Sequence, residues 1–260
     1  MDLDFYQIDA FTNRIFGGNP AGVIPLKTWL NDSVLQQIAS ENNLSETAFF
    51  VMGDEEIELR WFTPVAEVNL CGHATLASAF VLFEELNFKK EIIYFSTKSG
   101  ILEVSKKEAL YELNFPSDDI VQIDTKAYPQ LFDIEPIEIW KGKEDVLLIY
   151  KNEKQLQQLK PNLVEISKTP FRGVIATAKG EKVDFVSRFF TPQLGINEDP
   201  VTGSAHTTLT PYWAEKLNKT SLTARQISKR GGELQCLIKN KRIYIAGKAI
   251  RYLKGTITIT

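Results

Sequence analysis

Arg60-Trp-Phe-Thr-Pro64 recurs 128 positions later as Arg188-Phe-Phe-Thr-Pro192. Downstream, Cys71-Gly-His-Ala-Thr75 is answered 131 positions later by Thr202-Gly-Ser-Ala-His206. Lys98-Ser-Gly-Ile-Leu102 then lines up with Arg230-Gly-Gly-Glu-Leu234 at an offset near 132. The register slips by three residues in one loop and then holds. Two halves of similar shape are expected to face each other across a cleft, with one wall from each. Chemistry is expected where the halves differ.

The composition fits two domains of roughly 130 residues. The chain has 260 residues, 43% hydrophobic and 24% charged, as in an ordinary soluble globular protein. A net charge of −3, a pI near 5.6 and the lack of a basic run with interleaved aromatics argue against a nucleic-acid surface. No apolar run approaches 18 residues and no charged–apolar leader is visible, so no membrane association and a cytosolic location are expected. Cys71 and Cys236 are the only cysteines and are expected to stay reduced. His73 and His206 are the only histidines, and no zinc-ligand spacing is present, so no metal is expected.

Hydrophobic period places strands at 4–11, 20–25, 46–52 and 57–62, with a helix from Asn31 or Asp32 to about Glu41. The segment 74–86 is apolar on nearly every face, the signature of a buried helix. Strands near 92–96, 102–105 and 110–115 complete the first half. The second half reads as a polar helix at 153–166, strands at 173–178 and 183–190, and a second apolar helix at 205–217. Pro211 is expected to kink or shorten that helix. Strands near 234–239, 242–246 and 255–260 follow. The stretch 116–126, with Pro116, Ser117 and the aspartates 118, 119 and 124, reads as the linker. The fold class is α+β, with strands wrapped around one buried helix per half. The domains are 1–116 and 117–260, with the C-terminal strand free to pack on the first.

Gly72 and Gly203 each sit where a loop enters a buried helix. The first N–H groups of a helix lack internal partners and lie at the positive end of its dipole, so each junction suits an anion. Two such junctions suit a small substrate that bears a carboxylate. Glu46 lies in Ser45-Glu-Thr-Ala-Phe-Phe-Val51, a strand-like run with no other charge, and matches Val174 under the repeat. A carboxylate among apolar neighbours is the preferred general base, the alternative being an edge-strand Glu that points to water. His73 matches Ser204, and Asp199 lies just upstream. A Ser-His-Asp triad is disfavoured because no Gly-x-Ser-x-Gly elbow is present. Substrate hydrogen bonding and proton handling are the preferred roles for all three. Cys71 matches Thr202, so a thiol on each side of a substrate is not available. Cys71 reads more readily as a packing residue. Asn19 reads as a turn residue or a ligand contact, and Arg230-Gly-Gly232 as a hairpin turn or a cleft contact.

Together Asp9-Ala-Phe-Thr12, Gly18-Asn-Pro-Ala-Gly-Val23, Ser45-Glu-Thr47, Phe62-Thr-Pro64 with Glu67, Cys71-Gly-His-Ala-Thr75, Phe190-Thr-Pro192 and Asp199-Pro-Val-Thr-Gly-Ser204 resemble the phenazine-biosynthesis isomerase (PhzF-like) family. The resemblance runs to Arg230-Gly-Gly232 and so covers nearly the whole chain. It implies the diaminopimelate-epimerase-like fold: two pseudo-symmetric domains, each a barrel-like, mostly antiparallel sheet around a central helix, with the site between them. It also implies cofactor-free proton transfer by an isomerase that is often a homodimer. The family's acid/base glutamate falls on Glu46. Its substrate contacts fall on Gly72, His73, Asp199, Gly203 and Ser204. The two-cysteine mechanism of more distant relatives has no second thiol here. Two further readings stay open: an amino-acid epimerase or racemase with His73 or Cys71 as opposing base, and a small-molecule binding protein without chemistry.

Overall fold

The computed structural model describes residues 1–53, 56–128 and 130–259. The first stretch contains β1 (Asp2–Ala10), β2 (Asn19–Leu26), α1 (Asp32–Asn42), β3 (Glu46–Met52), β4 (Ile57–Phe62), β5 (Glu67–Val68), α2 (Gly72–Phe80), β6 (Ile92–Thr97), β7 (Gly100–Lys107) and β8 (Leu110–Pro116). The second contains β9 (Val121–Ile123), β10 (Glu138–Lys141), β11 (Asp145–Ile149), α3 (Glu153–Gln158), α4 (Leu163–Ser167) and β12 (Gly173–Lys179). It continues with β13 (Phe185–Thr191), β14 (Ile196–Asp199), α5 (His206–Leu217), β15 (Ser221–Gln226), β16 (Gly232–Lys239) and β17 (Arg242–Gly247). The last strand is β18 (Ala249–Thr258). Thr260, the end of the strand expected from the sequence, lies outside the described residues.

The chain divides into two compact units, Met1–Asn114 with Ala246–Thr260, and Phe115–Ile245. In the first, β1 pairs antiparallel with β2, β2 parallel with β3 across the α1 crossover, and β3 antiparallel with β4. β4 then pairs antiparallel with β5 and parallel with β6, and β6–β7–β8 continue antiparallel. In the second unit, β10 through β16 pair with one another in the same senses. Strand n of the first unit therefore corresponds to strand n + 9 of the second. One strand breaks this rule. The neighbour of β10 on its other edge is β9, which precedes it in sequence. The equivalent neighbour of β1 is β18, which comes from the far end of the chain.

The repeated Arg-x-Phe-Thr-Pro has a physical basis. Arg60 on β4 donates two bonds to Glu67 on β5, at 2.8 and 2.9 Å, with its guanidinium 5.2 Å over the Phe62 ring. Arg188 on β13 does the same to Glu198 on β14, at 2.7 and 2.9 Å, and lies 4.9 Å over Phe190. Such bidentate forks fix direction as well as charge. Trp61 sits opposite Val68 in one unit, and Phe189 opposite Asp199 in the other. The three-residue slip is absorbed by a 3₁₀ turn, Pro192–Leu194, closed by Gly195 at φ 84.

Each unit has one helix inside and others outside. α2 is buried from Gly72 to Ala79 and packs against β1, β2, β3 and β18. Its apolar residues have no solvent face to leave, which is why the sequence shows no stripe. The α-helix ends at Phe80, and Val81–Glu85 form a π-helical turn in which Leu86 N–H reaches Val81 O at 3.0 Å. Outside, α1 sets Leu35, Ile38 and Ala39 on Ile24, Leu26, Phe49 and Phe62. Truncating a fully buried leucine such as Leu35 costs about 2–5 kcal/mol, a large part of a domain's net stability.

Two sequence expectations give way and a third, for Pro211, loses one of its two alternatives. The single helix at 153–166 is two, α3 and α4. Pro161 has no N–H to donate and pushes its predecessor out of helical geometry. Each short helix then has its own cap: Asn152 accepts from Gln155 N at 2.9 Å and Asn162 from Glu165 N at 3.3 Å. Pro211 neither ends nor shortens α5, which runs on to Leu217. A proline here leaves the Thr207 carbonyl without its helical donor, and the Asp118 backbone N–H takes that place at 3.2 Å. That contact also removes the linker: residues 116–126 contribute β9 to the second unit's sheet. Asp118 Oδ2 accepts from Thr208 Oγ1 at 2.9 Å.

Candidate functional site

β2 and β3 run parallel with Ala21 opposite Glu46, which brings the first residue of β3 beside the start of β2. The first turn of α2 supplies the rest. His73 Nε2 lies 3.0 Å from Glu46 Oε2. The other ring nitrogen, Nδ1, lies 3.1 Å from Asn19 Nδ2 and 3.5 Å from Cys71 Sγ. Asn19 is fully buried, His73 and Cys71 nearly so, and the Glu46 side chain is 12% exposed. The Glu46–His73 approach is at ion-pair distance without the alignment of a good hydrogen bond. The sequence residues Asn19, Glu46, Cys71, Gly72 and His73 thus form one cluster on the first unit.

Its charges can be ordered. Burial pushes the Cys71 thiol up, and the neighbouring Glu46 adds to this, so Cys71 stays a thiol. Burial alone would lower His73, but Cys71 and Glu46 together outweigh it and hold the imidazolium well above its ordinary value. Because Cys71 stays neutral, the anion that stabilises the imidazolium is Glu46. A neutral His73 that accepts from Asn19 at Nδ1 carries its proton on Nε2, and an imidazolium carries one there too. In both states Nε2, the ring nitrogen nearer Glu46, carries a proton. The amide orientation of Asn19 follows the state of Nδ1.

Glu46, Cys71 and His73 place one ligand atom each within 4.8 Å of one another and could hold a metal ion. Two features oppose that use. The thiol and the imidazole would both have to lose protons that the site retains. The thiol also sits by Nδ1 and the carboxylate by Nε2, on opposite edges of the ring.

The second unit carries the matching junction. Asp199 at the end of β14 accepts a short hydrogen bond from Thr202 Oγ1. Gln226, at the end of β15 and fully buried, accepts from Thr202 N at 2.9 Å and donates to Asp199 O at 2.7 Å. Ser228 Oγ donates to Pro200 O at 2.7 Å and accepts from Gly231 N at 3.1 Å. The 230–232 turn therefore buttresses the 199–204 loop. His206 repeats the role of Thr75: Thr75 Oγ1 bonds the Cys71 carbonyl at 2.6 Å, and His206 Nδ1 the Thr202 carbonyl at 2.9 Å. Burial pushes His206 down to about 4, so it is neutral.

Ser204 Oγ accepts from Arg172 Nη1 at 2.9 Å. Arg172, just before β12, also forks onto the buried Asp145 and lies over Phe189, 5.5 Å from the ring centre. Burial works against its charge, and Asp145 and Glu144 overcome that. Neither Arg172, Asp145 nor Gln226 stood out in the sequence. One signal was available: at the repeat offset Arg172 falls on Leu44, a charge in one half facing an apolar residue in the other.

Residues 8–255 match the family described as phenazine biosynthesis-like protein. An uncharacterized isomerase of Pseudomonas aeruginosa is 46% identical over 261 residues, covering 100% of both chains. The crystal structure of a PhzF-family phenazine biosynthesis protein from Enterococcus faecalis superposes with a TM-score of 0.95 at 44% identity, again over 100% of both chains. A hydroxyproline epimerase from Agrobacterium vitis, with trans-4-hydroxy-L-proline bound, shares the fold alone. Its TM-score is 0.66 at 9% identity, over 98% of this chain and 91% of that one. No helix among the described residues is long and apolar enough to cross a membrane. The shared motifs and full-length similarity make this chain a member of the phenazine biosynthesis-like family.

Proposed function

We propose that this protein is an isomerase that moves a proton within a small carboxylate-bearing, cyclic or unsaturated substrate, with Glu46 as the acid/base and no cofactor. The observation that carries the reading is the 3.0 Å approach of His73 Nε2 to Glu46 Oε2 inside a nearly closed cluster. Glu46 takes a proton from an activated carbon. His73, 3.0 Å away, carries a proton of its own, steadies the carboxylate in the resting enzyme and gives the abstracted proton a second place to reside. Glu46 then returns a proton to another carbon of the same conjugated system. Gly72 and Gly203, at the starts of the inner helices, offer backbone amides to anionic substrate groups. Asp199, held by Thr202, and Ser204, held by Arg172, orient the substrate.

The test is incubation with a panel of unsaturated and cyclic carboxylates and amino acids in deuterated water, read by mass spectrometry and NMR. General acid/base catalysis contributes about 100- to 10,000-fold, so Glu46→Gln should lose nearly all turnover. Substantial turnover in Glu46→Gln sinks the assignment. A double-bond shift with little label still supports it, because a proton can stay within one molecule.

An epimerase with Cys71 as second base is the other reading. Its support is the 3.5 Å contact between Cys71 Sγ and His73 Nδ1. The raised thiol and the Thr202 at the matched position weigh against it. Inversion at one carbon that disappears in Cys71→Ala would favour it.

A further inference from the structure

We propose that Arg172 is a positioning residue that makes the Ser204 hydroxyl a directed hydrogen-bond donor for the substrate's carboxylate. The proposal deepens the reading above, since it takes Ser204 as a substrate contact. A serine hydroxyl accepts or donates with equal ease, and an unconstrained one rotates to suit its surroundings. At Ser204 that freedom is removed. Arg172 Nη1 occupies the acceptor side at 2.9 Å, and no residue among those described receives the hydroxyl proton. The Ser204 backbone carbonyl is already taken by Thr207 N at 3.1 Å and Thr207 Oγ1 at 2.8 Å. The proton is thus left for a ligand, and a hydroxyl that accepts from a cation is a stronger donor.

Arg172 is itself fixed on two sides. Nε and Nη2 fork onto Asp145, which is 2% exposed. The Phe189 ring lies against the guanidinium plane, 5.5 Å from centre to centre. Gly173 leaves the room for that ring: a Cβ there would stand 2.2 Å from Phe189 Cζ. Asp145 neutralises most of the cation, so the pair delivers direction to Ser204 rather than a free positive charge. A group that accepts but cannot donate, such as a carboxylate, fits the resulting donor. A group that must itself donate to Ser204 does not.

The experiment is calorimetric titration with benzoate, 2-furoate and sorbate, and with the neutral benzamide, of the wild-type chain and of Ser204→Ala, Arg172→Met and Arg172→Met/Ser204→Ala. The wild type should bind at least one carboxylate and discriminate against benzamide. Arg172→Met should weaken that binding by about 10- to 100-fold, the worth of a hydrogen bond to a charged group. The double variant should bind no worse than Ser204→Ala, because Arg172 acts through that hydroxyl. Losses that add in full, or an Arg172→Met protein that binds as the wild type does, overturn the proposal. If Ser204→Ala binds normally, the reading of Ser204 as a substrate contact fails first. A wild type that binds none of the carboxylates refutes both. Arg172→Met leaves Asp145 a lone buried carboxylate, so Arg172→Met/Asp145→Asn carries the same titration if the single variant does not fold. Failure of both to fold makes Arg172 a structural residue and ends the proposal.

Discussion

Replacing Glu46 by glutamine should move the titration of His73 more than any other single change. The two groups are 3.0 Å apart and nearly buried. At that distance the bare attraction is roughly 5 kcal/mol at an effective dielectric of 20, an upper bound because the Glu46 carboxylate is partly hydrated. Charge partners at such range displace a pKa by about 1–3 pH units, worth about 1.5–4 kcal/mol of imidazolium stability. Glu46→Gln removes that support and leaves burial, which lowers His73, opposed by the Cys71 contact alone. The His73 titration should therefore fall by about 1–3 pH units. The assay is a pH series of ¹⁵N-resolved imidazole spectra. The chain has only two histidines, and His206, with a pKa of about 4, titrates well away from His73. Identical His73 titrations in the two proteins refute the reasoning. A larger fall in Cys71→Ala than in Glu46→Gln refutes it more sharply, since a Cys71 thiolate would then be the counter-charge.

Other predictions test the frame around the site. His206 is held at about 4 in the folded state against about 6.5 unfolded, so the unfolded chain binds the extra proton first as pH falls. Its contribution is present above pH 6.5 and is lost towards pH 4, by about 3 kcal/mol in all, and urea unfolding of His206→Gln should show a shallower acid limb. Gly18 sits at φ 61 with the Ala10 carbonyl 2.1 Å from where a Cβ would stand. Gly18→Ala should cost about 2–5 kcal/mol in denaturant unfolding, and a loss below 0.5 kcal/mol would show that the turn relaxes. Asp118→Ala removes the Thr208 bond and the carboxylate that Lys143 N reaches. A loss of about 1–3 kcal/mol is expected, and an unchanged melting curve would show 116–126 to be a passive connector.

Repetition made most of this fold legible. Arg60 and Arg188 are read in sequence because each must sit two residues before the phenylalanine it covers, Phe62 or Phe190. Local spacing of that kind survives in the chain as a motif. α2 was legible because a helix buried on every side shows apolar residues on every side. Glu46 was legible as a lone charge in an apolar strand, but its meeting with His73 was not. That contact depends on Ala21 and Glu46 standing opposite each other in a parallel pair, a register no local pattern records. Arg172, Asp145 and Gln226 were missed for the same reason: each is an ordinary polar residue until its distant partner is known. The split at Pro161 was written in the sequence, and the polar periodicity around it hid the break.

The placement of β18 beside β1 carries a consequence for biogenesis. All of Phe115–Ile245 leaves the ribosome before the strand that completes the unit holding Glu46 and His73. The second unit, contiguous in sequence, can therefore mature during synthesis, whereas the half that carries Glu46 and His73 must wait with one flank of β1 unpaired. Sheet pairings this remote in sequence form slowly, and an uncovered strand edge invites other chains. Nascent chains stalled before residue 246 should resist protease across 115–245 and be cut within 1–114, and that first half should be where a crowded translation system loses this protein to aggregation.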